Sequence, residues 1–191
     1  DLPYDLQGLI DSIGGKEAAE KRLDEMFRRL DASYGDEWFA SGNEPSFQIP
    51  WIYNWAGAPY KAQQVIRRIL NEQYSSRVNG LPGNDDLGSM GAWYVFASIG
   101  LFPEIPGVGG FSVNSPVFRK IVLHLPEGDV IIKGGDEKKE YIHSLSLDGK
   151  KMEGTWIDWS DLYRGATLEY KLSGKPDKTW GPRIAPPSYG K

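Results

Sequence analysis

At Pro103 the hydrophobic period of this chain changes, and that change limits the folds open to it more than any other feature. Before it, apolar residues recur at three- and four-residue steps, the spacing of one helix face. Beyond Pro106-Gly107 and Gly109-Gly110 they shift toward alternation, the spacing of strands. The chain is therefore expected to be α+β, helices first and strands after, divided into residues 1–106 and residues 107–191.

Within the first part, Asp5 to Ser12 is expected as a short helix carrying Leu6, Leu9 and Ile10 and stopped by Gly14-Gly15. Lys16 to Leu30 reads as a longer one. Ala19, Leu23, Met26, Phe27 and Leu30 share a face, with Glu17 and Glu20 near its positive end and Arg28 and Arg29 near its negative end. Trp51 to Gly57 reads as a dense aromatic helix. Pro59 opens the next, with Ala62, Val65, Ile66 and Ile69 on its buried side. Leu87, Met90, Trp93, Tyr94 and Ala97 form the stripe of a last helix, closed by Gly100 and Pro103. Loops carry the unusual residues, so a helical bundle or toroid with its loops gathered at one end is expected.

In the second part, Val117 to Leu125, Val130 to Lys133, Tyr141 to Leu147 and Thr167 to Leu172 read as strands of an antiparallel unit. Asp148-Gly149 is a hairpin-turn signal, and the tail from Pro182 reads as irregular.

Two stretches stand out chemically. Pro82-Gly83-Asn84-Asp85-Asp86-Leu87-Gly88 joins a glycine turn and paired carboxylates to the last helix. Its plainer reading is that one carboxylate caps the helix and the other is solvated. Gly42-Asn43-Glu44-Pro45-Ser46-Phe47 leads polar oxygens into the aromatic helix. Such oxygens suit a hard cation such as calcium, and they also suit an ordinary helix cap. Two of them are far short of a calcium shell.

Composition removes several other classes. With 191 residues, 40% of them hydrophobic, the chain can bury a sizeable core, yet no apolar run approaches the roughly 20 residues that cross a bilayer. A net charge of −4 argues against nucleic acid as a partner. There is no cysteine, so disulfides, thiolate metal sites and cysteine nucleophiles are excluded. His124 and His143 fall in predicted strands far from the carboxylate loops, which leaves no basis for a zinc site or a serine triad. Gly107-Val108-Gly109-Gly110 lacks the lysine of a phosphate loop. Asp1-Leu2-Pro3-Tyr4 has neither the basic nor the apolar region of a signal peptide, and the chain is expected to be a piece of a larger protein.

Read together, several segments resemble glycoside hydrolase family 92, the calcium-dependent exo-acting α-mannosidases of inverting mechanism. They are Pro3-Tyr4-Asp5-Leu6-Gln7-Gly8-Leu9-Ile10, Asn43-Glu44-Pro45-Ser46 with Ala56-Gly57-Ala58-Pro59, and Gly83-Asn84-Asp85-Asp86-Leu87-Gly88 with Ala92-Trp93-Tyr94-Val95-Phe96. Asn114-Ser115-Pro116-Val117-Phe118 and Tyr141 to Lys150 are similar too. The resemblance implies the closing helices of an (α/α)6 catalytic toroid, a ring of six helical hairpins, followed by the family's C-terminal β-segment.

It also implies roles. An inverting glycosidase needs a base that activates water and an acid about 6.5–9.5 Å away that protonates the leaving oxygen. The last acidic position of the family's motif, the general base, falls on Asp86. Asp85 is adjacent, as a cap or a sugar contact. Asn84 stands where the family often has Asp and would orient the water. Asn43 and Glu44 match the region that binds calcium and the mannose of the first subsite, and Phe47 replaces the family's His there, with its backbone carbonyl still available as a ligand. The family's general acid lies upstream of Asp1, so the resemblance implies that this polypeptide alone is catalytically incomplete and partners the upstream part of the same enzyme. The substrate implied is an α-mannoside glycan, with α-1,2 linkage first among those expected, and export from the cell is implied by the family alone. Two other readings are a phosphorylase on a similar toroid, for which Arg67 and Arg68 face away from the loops, and a carbohydrate-binding or structural module using Trp51, Trp55, Trp93, Trp156 and Trp159.

Overall fold

The computed structural model describes residues 4–33 and 35–189. Pro3, the first residue of the Pro3-Tyr4-Asp5 segment, therefore lies outside the described residues. The fold is α+β, with helices preceding strands. Helix α1 (Leu6–Ser12) is capped by Asp5, whose side chain accepts from the Gly8 N–H at 3.0 Å. The same carboxylate accepts from the Ser188 hydroxyl at 2.9 Å, and the Trp55 indole donates to the Pro187 carbonyl at 3.0 Å. The irregular tail is thus pinned to the first helix.

Helix α2 (Lys16–Met26) ends a turn before the expected Leu30. The carbonyl groups of Met26 and Arg29 accept from the Phe39 N–H at 3.0 and 3.3 Å, so the following loop takes acceptors that another helical turn would use. Phe27 and Leu30 are nevertheless buried as expected. The aromatic segment is a 3-10 helix, Ile49–Asn54, rather than an α-helix, closed by bonds such as Trp51 N–H to Gln48 and Trp55 N–H to Ile52. Pro50 contributes no donor, and the tighter winding sets Trp51 and Asn54 above one another on one buried side.

Helix α3 (Pro59–Glu72) buries Ala62, Val65, Ile66 and Ile69, and helix α4 (Ser89–Ile99) buries Met90, Trp93 and Ala97. Of the stripe expected for α4, Leu87 and Tyr94 do not belong to the core. Leu87 lies before the helix at φ +60° and is fully exposed, and Tyr94 is 39% exposed.

Two sheets follow. The smaller, ordered β1-β2-β7, pairs β1 (Leu101–Phe102), β2 (Gly110–Val113) and β7 (Trp156–Asp158) antiparallel. The glycine stretch remains a turn through residues 106–109, and only its last glycine, Gly110, enters a strand. The larger comprises β3 (Lys120–Leu125), β4 (Gly128–Lys133), β5 (Tyr141–Leu147), β6 (Lys150–Met152) and β8 (Ala166–Ser173) in the order β3-β4-β8-β5-β6. The Asp148-Gly149 hairpin forms, with φ of +48° and +77°. The expected antiparallel segment is present with one addition: β8 inserts between β4 and β5, antiparallel to β5 and parallel to β4.

Helices and large sheet meet through polar groups of α3. The buried Gln63 side chain accepts from the Ile142 N–H at 2.9 Å, and the Arg67 guanidinium donates to the Asp136 and Glu137 carbonyls at 2.8 and 3.0 Å.

Candidate active site

The two chemically distinctive loops lie backbone against backbone. A Cβ placed on Gly42 would stand 2.5 Å from the Pro82 carbonyl oxygen, and one on Gly83 would stand 2.5 Å from the Gly42 carbonyl oxygen. Only glycine on both sides permits this approach. Asn43-Glu44 and Asn84-Asp85-Asp86 therefore leave one seam side by side, although Glu44 and Gly83 are 39 positions apart in the chain. A second tie lies behind it: the Trp93 indole N–H, on α4, donates to the Phe47 carbonyl at 2.9 Å. That carbonyl, an expected metal ligand, already has a protein donor.

The acidic loop is wound against its preference. Asp86, Leu87 and Gly88 are left-handed in succession, at φ +49°, +60° and +93°. For the two non-glycine residues this costs roughly 1–2 kcal/mol each. Local bonds hold the conformation: the Asp86 carbonyl accepts from the Ser89 hydroxyl at 2.6 Å and its N–H at 3.2 Å. Asp85 caps α4, its backbone carbonyl accepting from Met90 at 3.1 Å and its side chain from the Gly91 N–H at 3.2 Å. Asp86 makes no such cap and faces solvent, as do Asn84 and Glu44; Asn43 is half-buried. Strain concentrated where a carboxylate is presented is the pattern of a built site.

Tyr74, which sequence reasoning passed over, supports this loop from beneath. Its ring stacks on Trp93, with centroids 5.9 Å apart and planes 10° apart, and its hydroxyl donates to the Met90 carbonyl at 3.3 Å. Burial, and then the Asp85 charge, push its phenol above the ordinary range. The only trace of Tyr74 in the sequence is an aromatic just past a helix end. Two clefts flank the seam. One, of about 310 Å³, is lined by Asp31, Ser41, Asn43, Gln73 and Pro82, with the Ser41 hydroxyl donating to the Gln73 side chain at 2.9 Å. The other, also about 310 Å³, is lined by Tyr74, Ser75, Leu81, Gly91 and Tyr94.

Asn43 and Glu44 are oxygen donors of the kind calcium takes, but calcium takes six to eight. Among the described residues no group of three or more His, Asp or Glu side chains could hold a metal ion. The carboxylate and imidazole side chains of the described residues therefore do not by themselves compose a calcium shell, and no step below is derived through one. The histidines are on the surface, each against a carboxylate: His124 with Asp129 at 2.8 Å and His143 with Asp177 at 2.9 Å.

Other expected sugar contacts are unavailable. Trp51 and Trp55 are 0% exposed and Trp93 2%, so their faces cannot stack on a ligand; of the five tryptophans considered, only Trp159 is well exposed, at 41%. Arg67 is buried and committed to carbonyl groups, and Arg68 donates to the Phe27 carbonyl and pairs with Glu72. Neither offers a free cation for phosphate.

Residues 1–174 match the model of the glycosyl hydrolase family 92 catalytic domain. An uncharacterized secreted glycosidase of the fungus Arthroderma benhamiae is 32% identical over 99% of this chain and 24% of its own length. Among solved structures, a family 92 α-mannosidase of Bacteroides thetaiotaomicron superposes with a TM-score of 0.88 at 33% identity, covering 97% of this chain and 26% of the other. An inverting mannosidase of the same bacterium gives 0.87 at 29% identity, covering 99% and 29%. The chain thus spans about a quarter of the length of the relatives it matches. By the family model and by these structures together, the chain belongs to glycoside hydrolase family 92.

Proposed function

We propose that this chain is the closing part of the (α/α)6 toroid, residues 1–106, and the C-terminal β-segment, residues 107–191, of an exported inverting α-mannosidase, acting first on α-1,2-linked mannosides. Asp86 is its general base. The general acid comes from the upstream part of the same enzyme. The observation that carries this reading is the Gly42–Gly83 seam, which sets the two loops matching the family's motifs against each other.

On this reading the Asp86 carboxylate, held out by a strained turn, takes a proton from water as that water attacks the anomeric carbon. Asn84 orients the water by hydrogen bonding, Asn43 and Glu44 contact the sugar, and the upstream acid protonates the departing oxygen from the opposite face. Asp85 fixes the start of α4 and with it the aim of Asp86. Calcium, if bound, would supply Lewis-acid templating of the sugar, with Asn43 and Glu44 as two donors and the rest from outside the described residues.

The outer side of α4 supports the larger toroid. Tyr94 and Val95 are exposed, 39% and 56%, beside the fully exposed Leu87, while Met90, Trp93 and Ala97 are buried. A helix apolar on every side belongs in a covered position. On this reading further helices of the enzyme cover it and wall the site. The secreted relative agrees with export.

The test is mannose release from α-1,2-mannobiose by the intact enzyme and its Asp86→Asn variant, with the anomer followed by NMR. A fall of about 10²–10⁴-fold with sugar still bound, and a β-mannose first product, is the expected result. Undiminished release by Asp86→Asn would overturn the assignment.

A further inference from the structure

One row of side chains crosses the large sheet on the face turned away from its core. Lys120 pairs with Lys133, Lys133 with Glu169, Glu169 with Ser146 and Ser146 with Lys151, strand by strand from β3 to β6. Cross-strand partners share a face. The inward neighbours Ile132, Leu145, Leu168 and Tyr170 are buried, so this row is the outer one. A shallow cleft of about 530 Å³ gathers Lys133, Ser144, Ser146, Lys151, Glu169 and Lys171.

The row carries three ammonium groups, Lys120, Lys133 and Lys151, and Lys171 opposite Ser144 adds a fourth beside it, against the two carboxylates Glu169 and Glu153, in a chain whose net charge is −4. Lys133 reaches Glu169 at 3.5 Å and Lys151 reaches Glu153 at 2.7 Å. Among the described residues Lys120 and Lys171 have no acidic partner within ion-pair distance. Like charges directly opposite one another on a sheet destabilise it, and Lys120 opposite Lys133 is such a pair. An anion lying along the row would remove that repulsion.

We infer that this sheet face binds a linear anionic saccharide, one carrying carboxylate or sulfate groups, laid across the strands. Five strands at about 4.8 Å spacing give the row a length of roughly 19 Å, the span of several sugar units. Lysines meet the charged groups, and the hydroxyls of Ser144 and Ser146 meet the sugar hydroxyls between them. No aromatic side chain projects from the row, so charge and hydrogen bonding do the recognising. The choice of a saccharide over another polyanion rests on the mannosidase reading. The face would hold an acidic glycan while the carboxylate loop works on its mannose branches.

Titration of the intact protein with a dextran sulfate oligosaccharide, an oligogalacturonate, neutral dextran and a polyglutamate peptide tests this, at low and high salt. Tighter binding of both acidic saccharides than of dextran and polyglutamate is expected, weakening with salt. Lys133→Gln/Lys171→Gln should weaken it on the order of fivefold, and the control Lys16→Gln/Lys21→Gln should leave it unchanged. Equal loss in the control, tighter binding of polyglutamate, or no binding of the acidic saccharides at low salt would overturn the inference. Mannobiose is neutral, so its hydrolysis should be the same in the Lys133/Lys171 variant and the parent. A failure of the mannosidase reading is therefore seen separately from a failure of this one.

Discussion

The indole N–H of Trp93 donates to the backbone carbonyl of Phe47 across 2.9 Å. This single bond ties the helix that follows the acidic loop to the loop that carries Asn43 and Glu44. It sits under the Tyr74 ring and beside the Phe47 ring, whose centroid is 6.4 Å from that of Trp93. Trp93→Phe keeps most of the packing and removes the donor. A stability loss of about 1–3 kcal/mol is expected, because the Phe47 carbonyl would lose its partner behind the site. The catalytic loss should exceed what unfolding explains. Thermal melts read beside steady-state mannose release check it.

At the seam itself, Gly83→Ala is expected to force the loops apart. The added carbon would stand 2.5 Å from the Gly42 carbonyl oxygen and 2.8 Å from its Cα, both backbone atoms that cannot rotate away. Overpacking of this kind costs about 1–3 kcal/mol, and Asn84 would shift with it. Gly174→Ala is the control, since nothing lies within 4 Å of its added carbon. Equal behaviour of the two variants in melts and in mannose release would refute the seam's role.

A pH dependence follows from Glu104. It is 0% exposed, and neither carboxylate oxygen has a hydrogen-bond partner among the described residues. Burial alone pushes its carboxyl well above the ordinary range. In the unfolded chain the group ionises near pH 4.3, so above that pH folding must take up a proton. The stability that depends on this group is therefore greatest at and below that pH and falls as pH rises toward the folded-state value. Glu104→Gln should flatten this decline, visible in denaturant unfolding measured from pH 4 to 8. A stability difference between wild type and Glu104→Gln that stays constant over that range would refute it.

Much of this was readable from residue spacing, and the exceptions have physical causes. The α3 face of Ala62, Val65, Ile66 and Ile69 follows its period because local pattern and burial agree, and the strand Tyr141–Leu147 has the expected bounds although a bulge between Ile142 and Ser144 breaks its alternation. The insertion of β8 beside β4 depends on a pairing between Ile132 and Leu168, 36 positions apart, which no local pattern carries. Strands of two to four residues such as β1 and β2 are too short to show a period. Asp85 and Asp86 were legible as chemistry. What divides their roles, a left-handed turn that gives one of two exposed carboxylates the helix cap and leaves the other without it, follows from backbone angles that a non-glycine sequence does not announce.

Arg67 carries the last prediction. It is 2% exposed, and its guanidinium donates to the carbonyls of Asp136 and Glu137 at 2.8 and 3.0 Å and of Pro116 at 3.4 Å. Burial lowers its pKa and the nearby Glu140, Asp136 and Glu137 charges oppose that, so the fold sustains a buried cation largely through backbone dipoles. A lysine keeps the charge but presents a single point, where the planar fork reaches several carbonyls at once. Arg67→Lys is therefore expected to cost nearly as much as Arg67→Ala, about 3–5 kcal/mol in denaturant unfolding. Full rescue by lysine would show that charge alone, rather than the fork, joins α3 to the sheet.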